Sequence, residues 1–185
     1  MYDLHNKKIK QNYRIHIPPV SNQRFDPVEF RQQVRATVDM CSIGRRKLGV
    51  FLSGGLDSSM IAYELKKIKG EVNAFTNRMH PNVVTDEDYN SDWHCAEILA
   101  REQKFNHTEV PITPQNFADI WDDSIYYMEQ PVYNPSMAMY CHTNKVLAQN
   151  KIIVTIAGDM GDELLAGYPK YWKMYNKKWL SLIHI

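Results

Sequence analysis

Lys47-Leu48-Gly49-Val50-Phe51-Leu52-Ser53-Gly54-Gly55-Leu56-Asp57-Ser58-Ser59 is the stretch that decides the fold of this chain. The apolar run over 47–52 reads as a buried strand. A glycine-rich turn follows, and 57–69 then carries Ile61, Leu65 and Ile68 at helical spacing. Strand, tight turn and helix in that order put a helix N-terminus at a strand end. The two glycines let the backbone bend sharply and bring its N–H groups close to a ligand. Ser53, Ser58 and Ser59 add hydroxyls, and the helix N-terminus adds partial positive charge. Together these make a pocket for phosphate oxygens. Asp57 would repel a bare phosphate, so its carboxylate points to a bridging Mg²⁺. No Gly-Lys-Ser/Thr follows, so this is not a Walker A loop. A plain turn with Asp57 as helix N-cap accounts for Ser-Gly-Gly alone, and less well for the whole run.

Working outward, the same alternation repeats. Asp26 is a good N-cap, Pro27 suits the first helical position, and Glu29 is placed to reach back as in a capping box; the helix is expected to about Met40. Strands are expected at 71–77, 106–112 and 152–156, the last being the clearest buried strand. Helices are expected over 88–103, from Thr113-Pro114 to about Met128, and over 137–149. Strands alternating with helices of this length predict an α/β fold, a parallel sheet with helices on both faces. Ligands in such sheets bind beyond the carboxyl ends of the strands.

A second candidate loop follows the strand at 152–156: Ala157-Gly158-Asp159-Met160-Gly161-Asp162-Glu163-Leu164-Leu165-Ala166-Gly167-Tyr168. Asp159, Asp162 and Glu163 put three carboxylates within five residues. Facing the first loop, they could hold Mg²⁺ on a pyrophosphate or handle protons. An exposed acidic turn capping a helix is the alternative, and pairing with the first loop weighs against it.

Composition excludes several classes. The chain has 185 residues, 44% hydrophobic and 23% charged, with a formal net charge of +1. That balance gives no footprint for bulk nucleic-acid binding. The three cysteines, Cys41, Cys95 and Cys141, are widely spaced, which speaks against a disulfide framework or structural zinc and fits a reducing cytoplasm. No apolar run approaches the ~18 residues of a membrane span. His94, His107 and His142 lack metal-ligand spacing and read as core or surface histidines. The run 168–179 interleaves aromatics with lysines and reads as an amphipathic helix with a solvated basic face.

Ser53-Gly54-Gly55-Leu56-Asp57-Ser58-Ser59 resembles the pyrophosphate loop of the N-type ATP pyrophosphatases, a PP-loop group with the adenine nucleotide alpha hydrolase-like fold. The second segment resembles Ser-Gly-Glu-Gly-x-Asp-Glu-x-x-x-Gly-Tyr of the glutamine-hydrolysing asparagine synthetases, and lies about one hundred residues after the first, as in that family. Phe75-Thr76-Asn77 stands where the family's Phe-Ala-Val/Ile strand contacts adenine. Met128-Glu129-Gln130-Pro131 resembles its acidic Asp-Glu-x-Pro-type stretch. The resemblance spans about residues 2 to 175.

It implies that aspartate is activated by ATP as β-aspartyl-AMP, with release of pyrophosphate, and then amidated by ammonia. Residues Ser53, Gly54, Gly55, Leu56, Asp57, Ser58 and Ser59 would hold the phosphates, with Asp57 and Asp162 on Mg²⁺ and Glu163 beside them. Phe51, Asn77, Ala157 and Gly158 would line the nucleoside pocket. Asp159 and Glu129 would orient or deprotonate ammonia, itself drawn from glutamine by a preceding glutaminase domain. The resemblance leaves room for a homodimer of the full-length chain and implies no nucleic-acid or membrane partner.

The chain departs from the pattern at two positions. Asp159 stands in place of glutamate, and Met160 in place of a glycine, where it would crowd the loop or oppose a positive φ. A non-catalytic ATP-binding module, or a β-lactam-synthetase-like relative acting on another carboxylate, is the alternative reading. Both ends read as cut. Residues 1–24 resemble the end of a glutaminase domain and a linker, 25–179 the synthetase domain without its later lysine-bearing segment. The tail at 180–185 resembles translated sequencing adapter.

Overall fold

A computed structural model of the chain describes residues 2–3, 8–9, 24–80, 91–131 and 134–176. The proposed adapter tail lies outside these residues. Within 1–24, where a short extended piece is expected, two two-residue strands, β1 (Tyr2–Asp3) and β2 (Lys8–Ile9), pair antiparallel.

The helix expected after Asp26 is α1 (Pro27–Cys41). Asp26 caps it, its side chain accepting from the N–H groups of Val28 at 2.8 Å and Glu29 at 3.2 Å. The expected capping box does not form this way; the Glu29 carboxylate instead accepts from Gln33 one turn on, at 3.2 Å. Strand β3 (Leu48–Phe51) leads into helix α2 (Leu56–Lys69). Gly55, not Asp57, is the N-cap of α2, so Asp57 sits in the first turn. Then come β4 (Asn73–Met79), α3 (Ser91–Glu102) and β5 (Asn106–Ile112). Helix α4 (Pro114–Met128) opens with a full capping box between Thr113 and Asn116. Helix α5 (Pro135–Gln149) starts two residues earlier than its apolar pattern suggests, because Asn134 caps it and Pro135 takes the first position. Strand β6 (Val154–Ile156) and two short helices, α6 (Gly161–Leu165) and α7 (Pro169–Asn176), complete the described chain.

Strands β5-β4-β3-β6 form one four-stranded sheet, parallel throughout. Side chains alternate across it. Val50, Leu52 and Ala74 pack against Val38 of α1, Ala62 and Leu65 of α2, and Ala96 and Ala100 of α3. Phe51 and Phe75, one residue over, pack on the opposite face with Phe117 of α4 and Met139, Val146 and Leu147 of α5. The sheet is thus covered on both faces, as the alternation of elements predicts.

One expectation fails. The stretch 152–156 reads as the clearest buried strand, yet β6 is only three residues long; Ile152 is buried, while Val154 remains 38% exposed and Ile153 66%. It is an edge strand of the described sheet, paired on one side only, to β3. Among the described residues no helix is long and apolar enough to cross a membrane.

Strand order fixes where a ligand can sit. From β3 the chain steps to β4 and β5 on one side, then crosses back to place β6 on the other side of β3. The crevice beyond the carboxyl ends of β3 and β6 is the point of reversal, the usual ligand position in such sheets.

Candidate active site

Both candidate loops leave the sheet at that reversal: 53–55 from β3, and 157–160 from β6. They meet in a cleft of about 530 Å³ lined by Phe51, Ser53, Gly55, Leu56, Asp57, Ser58, Ala157, Gly158, Asp159 and Asp162. Ten expected residues thus come together from two segments a hundred positions apart.

The first loop is stapled by its own hydroxyls. Ser53 N–H donates to Ser58 Oγ at 3.1 Å, Gly55 N–H to Ser53 Oγ at 3.2 Å, and the two hydroxyls lie 2.9 Å apart. Ser58 Oγ donates to the Gly55 carbonyl at 3.2 Å. With that donation made and two bonds accepted, the buried Ser58 hydroxyl is saturated. In this arrangement it shapes the loop, while Ser58 still lines the cleft as expected. Gly54 has φ +91°, and a Cβ there would run into the Asp92 carbonyl at the start of α3. This glycine is required twice, by its dihedral and by close approach.

The glycines of the second segment make room for the two carboxylates expected to hold metal. A Cβ on Gly161 would overlap the Asp57 carboxylate, and one on Gly158 would lie 2.9 Å from Asp57 Cβ. A Cβ on Gly167 would overlap Asp162 Oδ1. Met160 adopts φ +68°, ψ 4°, the left-handed conformation a glycine takes readily. Methionine thus opposes the positive φ without forbidding it. The side chain is 64% exposed, so it escapes crowding, and the loop carries the strain in its backbone.

Some expected residues lie elsewhere. Asn77 lines an adjoining cavity of about 360 Å³ with Phe51, Phe75, Thr76 and Trp93, its amide oxygen accepting from Thr143 Oγ1 at 2.6 Å. Gly54 and Ser59 do not line the cleft; Ser59 N–H donates to the Gly55 carbonyl at 3.1 Å. Glu163 turns away and accepts from Tyr168 Oη at 2.8 Å, a bond that pushes the phenol up to about 12. Glu129 is not brought to the cleft. It ends α4 at φ +53°, beside Tyr126 and Tyr127 at a separate surface depression. The acid–base pairing of Glu129 with Asp159 is thus not assembled here.

The sequence reading missed Asp92 and Tyr140, which line both cavities. Tyr140, on α5, meets Phe51 edge-on at 5.5 Å between centroids. Burial, and the negative charge of Asp159, push its phenol above the ordinary tyrosine range. Neither residue sits in a motif; helical spacing from the capped start at Asn134 is the sole sequence signal for Tyr140. Among the described residues no group of three or more His, Cys, Asp or Glu could hold a metal alone.

Fold and site together define a parallel α/β protein whose ligand cleft lies at the strand-order reversal, a glycine turn on one side and carboxylates on the other. The family model described as asparagine synthase matches residues 29–184, and the chain belongs to that family. It is 26% identical over 186 residues to "Asparagine synthetase [glutamine-hydrolyzing] 2" of Lotus japonicus, covering 95% of this chain and 31% of that protein. It is 28% identical over 169 residues to "Asparagine synthetase B [glutamine-hydrolyzing]" of Escherichia coli strain K12, covering 86% and 30%. The chain therefore spans about a third of the length of these relatives. A solved NMN synthetase from Francisella tularensis aligns with 71% of this chain and 54% of its own, at 18% identity and a TM-score of 0.45.

Proposed function

We propose that the cleft binds ATP with Mg²⁺ and activates the side-chain carboxylate of aspartate for amidation. The observation that carries this reading is the shared cleft: Asp57 of the phosphate loop lies against Gly158 and Gly161 of the acidic loop. The backbone of 53–58 and the N-terminus of α2 would receive the β- and γ-phosphates. Phe51, Ala157 and Gly158, with Asn77 in the adjoining cavity, would take the nucleoside. Asp57 and Asp162 would hold the metal. Two carboxylates suit Mg²⁺, which keeps several waters and is commonly shared with substrate phosphates. The ion would neutralise charge on the departing pyrophosphate.

In the first step a carboxylate oxygen of aspartate attacks the α-phosphorus. The bond from that phosphorus to the bridging oxygen breaks, and pyrophosphate leaves with the electron pair. The helix N-terminus and loop N–H groups stabilise that charge. Ammonia then attacks the acyl carbon of β-aspartyl-AMP, the acyl–oxygen bond breaks, and asparagine and AMP result. The proton lost from nitrogen passes to Asp159, the acidic-loop carboxylate lining the cleft that is not assigned to the metal. Glutamine would supply the ammonia through a glutaminase domain of the full-length protein.

ATP–pyrophosphate exchange with a panel of carboxylic acids, using the chain in its full reading frame, tests the proposal. Exchange that needs aspartate and disappears in Asp57→Ala is expected. Exchange with another acid would keep the mechanism and change the substrate. Binding of Mg-ATP without exchange would leave only a nucleotide-binding module.

A further inference from the structure

Thr76 and His107 belong to neither loop, yet they fix the shape of the first. The backbone ladder between β3 and β4 runs out at Leu52, whose N–H donates to the Phe75 carbonyl at 2.9 Å. The next polar group, the Leu52 carbonyl, accepts from the Thr76 hydroxyl at 2.7 Å. Immediately beyond it, the N–H of Ser53 is taken by Ser58. The peptide joining Leu52 to Ser53, the entry to the loop, is thus held at its carbonyl by Thr76 and at its N–H by Ser58.

Thr76 is 3% exposed, and its hydroxyl has one proton, spent on Leu52. His107 Nε2 on β5 lies 2.9 Å from that oxygen. Because Thr76 has no second proton to give, Nε2 must be the donor, which assigns the Nε2–H tautomer to His107. Three adjacent strands are therefore linked in one direction, from the imidazole through the hydroxyl to the carbonyl at the phosphate loop. Burial holds the imidazole below the ordinary histidine range, against the opposing pull of Glu109 and Glu97. Protonation would leave Nε2–H in place, so the link survives in either charge state. Threonine at 76 stands where the resembling family has alanine, which cannot make the bond.

We propose that Thr76 and His107 are positioning residues that hold the phosphate loop in its ligand-receiving shape. The inference rests on the nucleotide reading of the cleft. Preorganised donors bind better than donors that must first be ordered, so losing the link should weaken phosphate binding selectively.

Calorimetric titration of the chain with Mg-pyrophosphate and, separately, with adenosine tests this. Thr76→Val, close in shape but lacking the hydroxyl, should weaken Mg-pyrophosphate about fivefold, the net value of one hydrogen bond. Thr76→Ser should restore it. His107→Leu should lose affinity in the same direction, and His107→Gln, whose amide can reach the Nε2 position, should retain it. Adenosine affinity should stay within about twofold of the parent in His107→Leu, since one hydrogen bond's worth is withheld from the phosphate end alone. Nitrogen-15 spectra should assign the Nε2–H tautomer to His107. If Thr76→Val does not fold, the two His107 variants carry the test. Equal Mg-pyrophosphate affinity in parent, Thr76→Val and His107→Leu would overturn the link and leave the nucleotide reading standing. Equal losses for both ligands in His107→Leu would mark general damage and also overturn it. A parent that binds neither ligand would remove the nucleotide reading and this inference with it.

Discussion

The carboxylate of Asp57 occupies the space that a side chain on Gly161 would need. Glycine at 161 leaves room for that carboxylate where α6 starts opposite the phosphate loop. Gly161→Ala should rotate the carboxylate away, because it is the free end of a side chain and can yield. Stability should hold, with a melting midpoint within about 3 °C of the parent. Mg-ATP affinity should fall by at least about tenfold, since a displaced group costs far more in a positioned site than in packing. Gly158→Ala should instead cost stability: its Cβ would lie 2.9 Å from Asp57 Cβ and 3.1 Å from the Ser58 backbone nitrogen, neither of which can swing aside, so stability should drop by about 1–3 kcal/mol. Thermal melts and nucleotide titrations on the two variants separate these outcomes.

Met160 stores strain at the turn into α6. A non-glycine residue at φ +68° costs about 1–2 kcal/mol, while glycine adds roughly 0.5–1 kcal/mol of unfolded-chain entropy. With its side chain largely exposed, little burial is lost on removing it. Met160→Gly should therefore stabilise the chain by about 0.5–1 kcal/mol, measured by urea unfolding. A loss of stability would mean that the methionine side chain makes up more than its backbone costs.

What was legible in the sequence was what local chemistry decides. Thr113-Pro114 announced α4 through its cap, and 106–112 matched β5 residue for residue. Both loops were legible because glycine and carboxylate spacing is itself the signal. Burial of β6 was not, since Ile152–Ile156 has the same apolar character at an edge as in a centre; only strand order distinguishes them. The position of Glu129 was not legible either: Met128-Glu129-Gln130-Pro131 resembles a motif in sequence, while the end of α4 places it at a separate depression. Asp92 and Tyr140 reach the cleft from helices whose sequence reads as ordinary packing surface.

Among the described residues Glu64 is the one charged residue with a buried side chain, 2% exposed, and its Oε2 lacks a partner there. Its other oxygen accepts from Arg31 Nε at 2.9 Å, joining α2 to α1. Removing Arg31 leaves a buried carboxylate uncompensated, whereas removing both leaves an apolar contact. Arg31→Met should lower the melting midpoint clearly, and Arg31→Met with Glu64→Met should recover most of the loss. A double variant no better than the single one would show that the arginine acts through its packing on Tyr63 rather than through Glu64.

Tyr168 offers a pH signature for the acidic segment. Its hydroxyl donates to Glu163, which favours the protonated phenol and pushes it up to about 12, from 10.0. The folded-state pKa is raised, so the bond's contribution to stability is complete below pH 10 and is lost as pH rises toward 12. Ultraviolet titration at the phenolate band should find one tyrosine ionising late in the parent. In Glu163→Gln that late step should move down toward the ordinary tyrosine range, because the carboxylate charge is gone. In Tyr168→Phe it should vanish. Glu163 is turned outward onto Tyr168 and away from the cleft, so neither change should alter Mg-ATP affinity by more than about twofold, well under one hydrogen bond's worth. A larger effect would place Glu163 back at the metal, where the sequence pattern first put it.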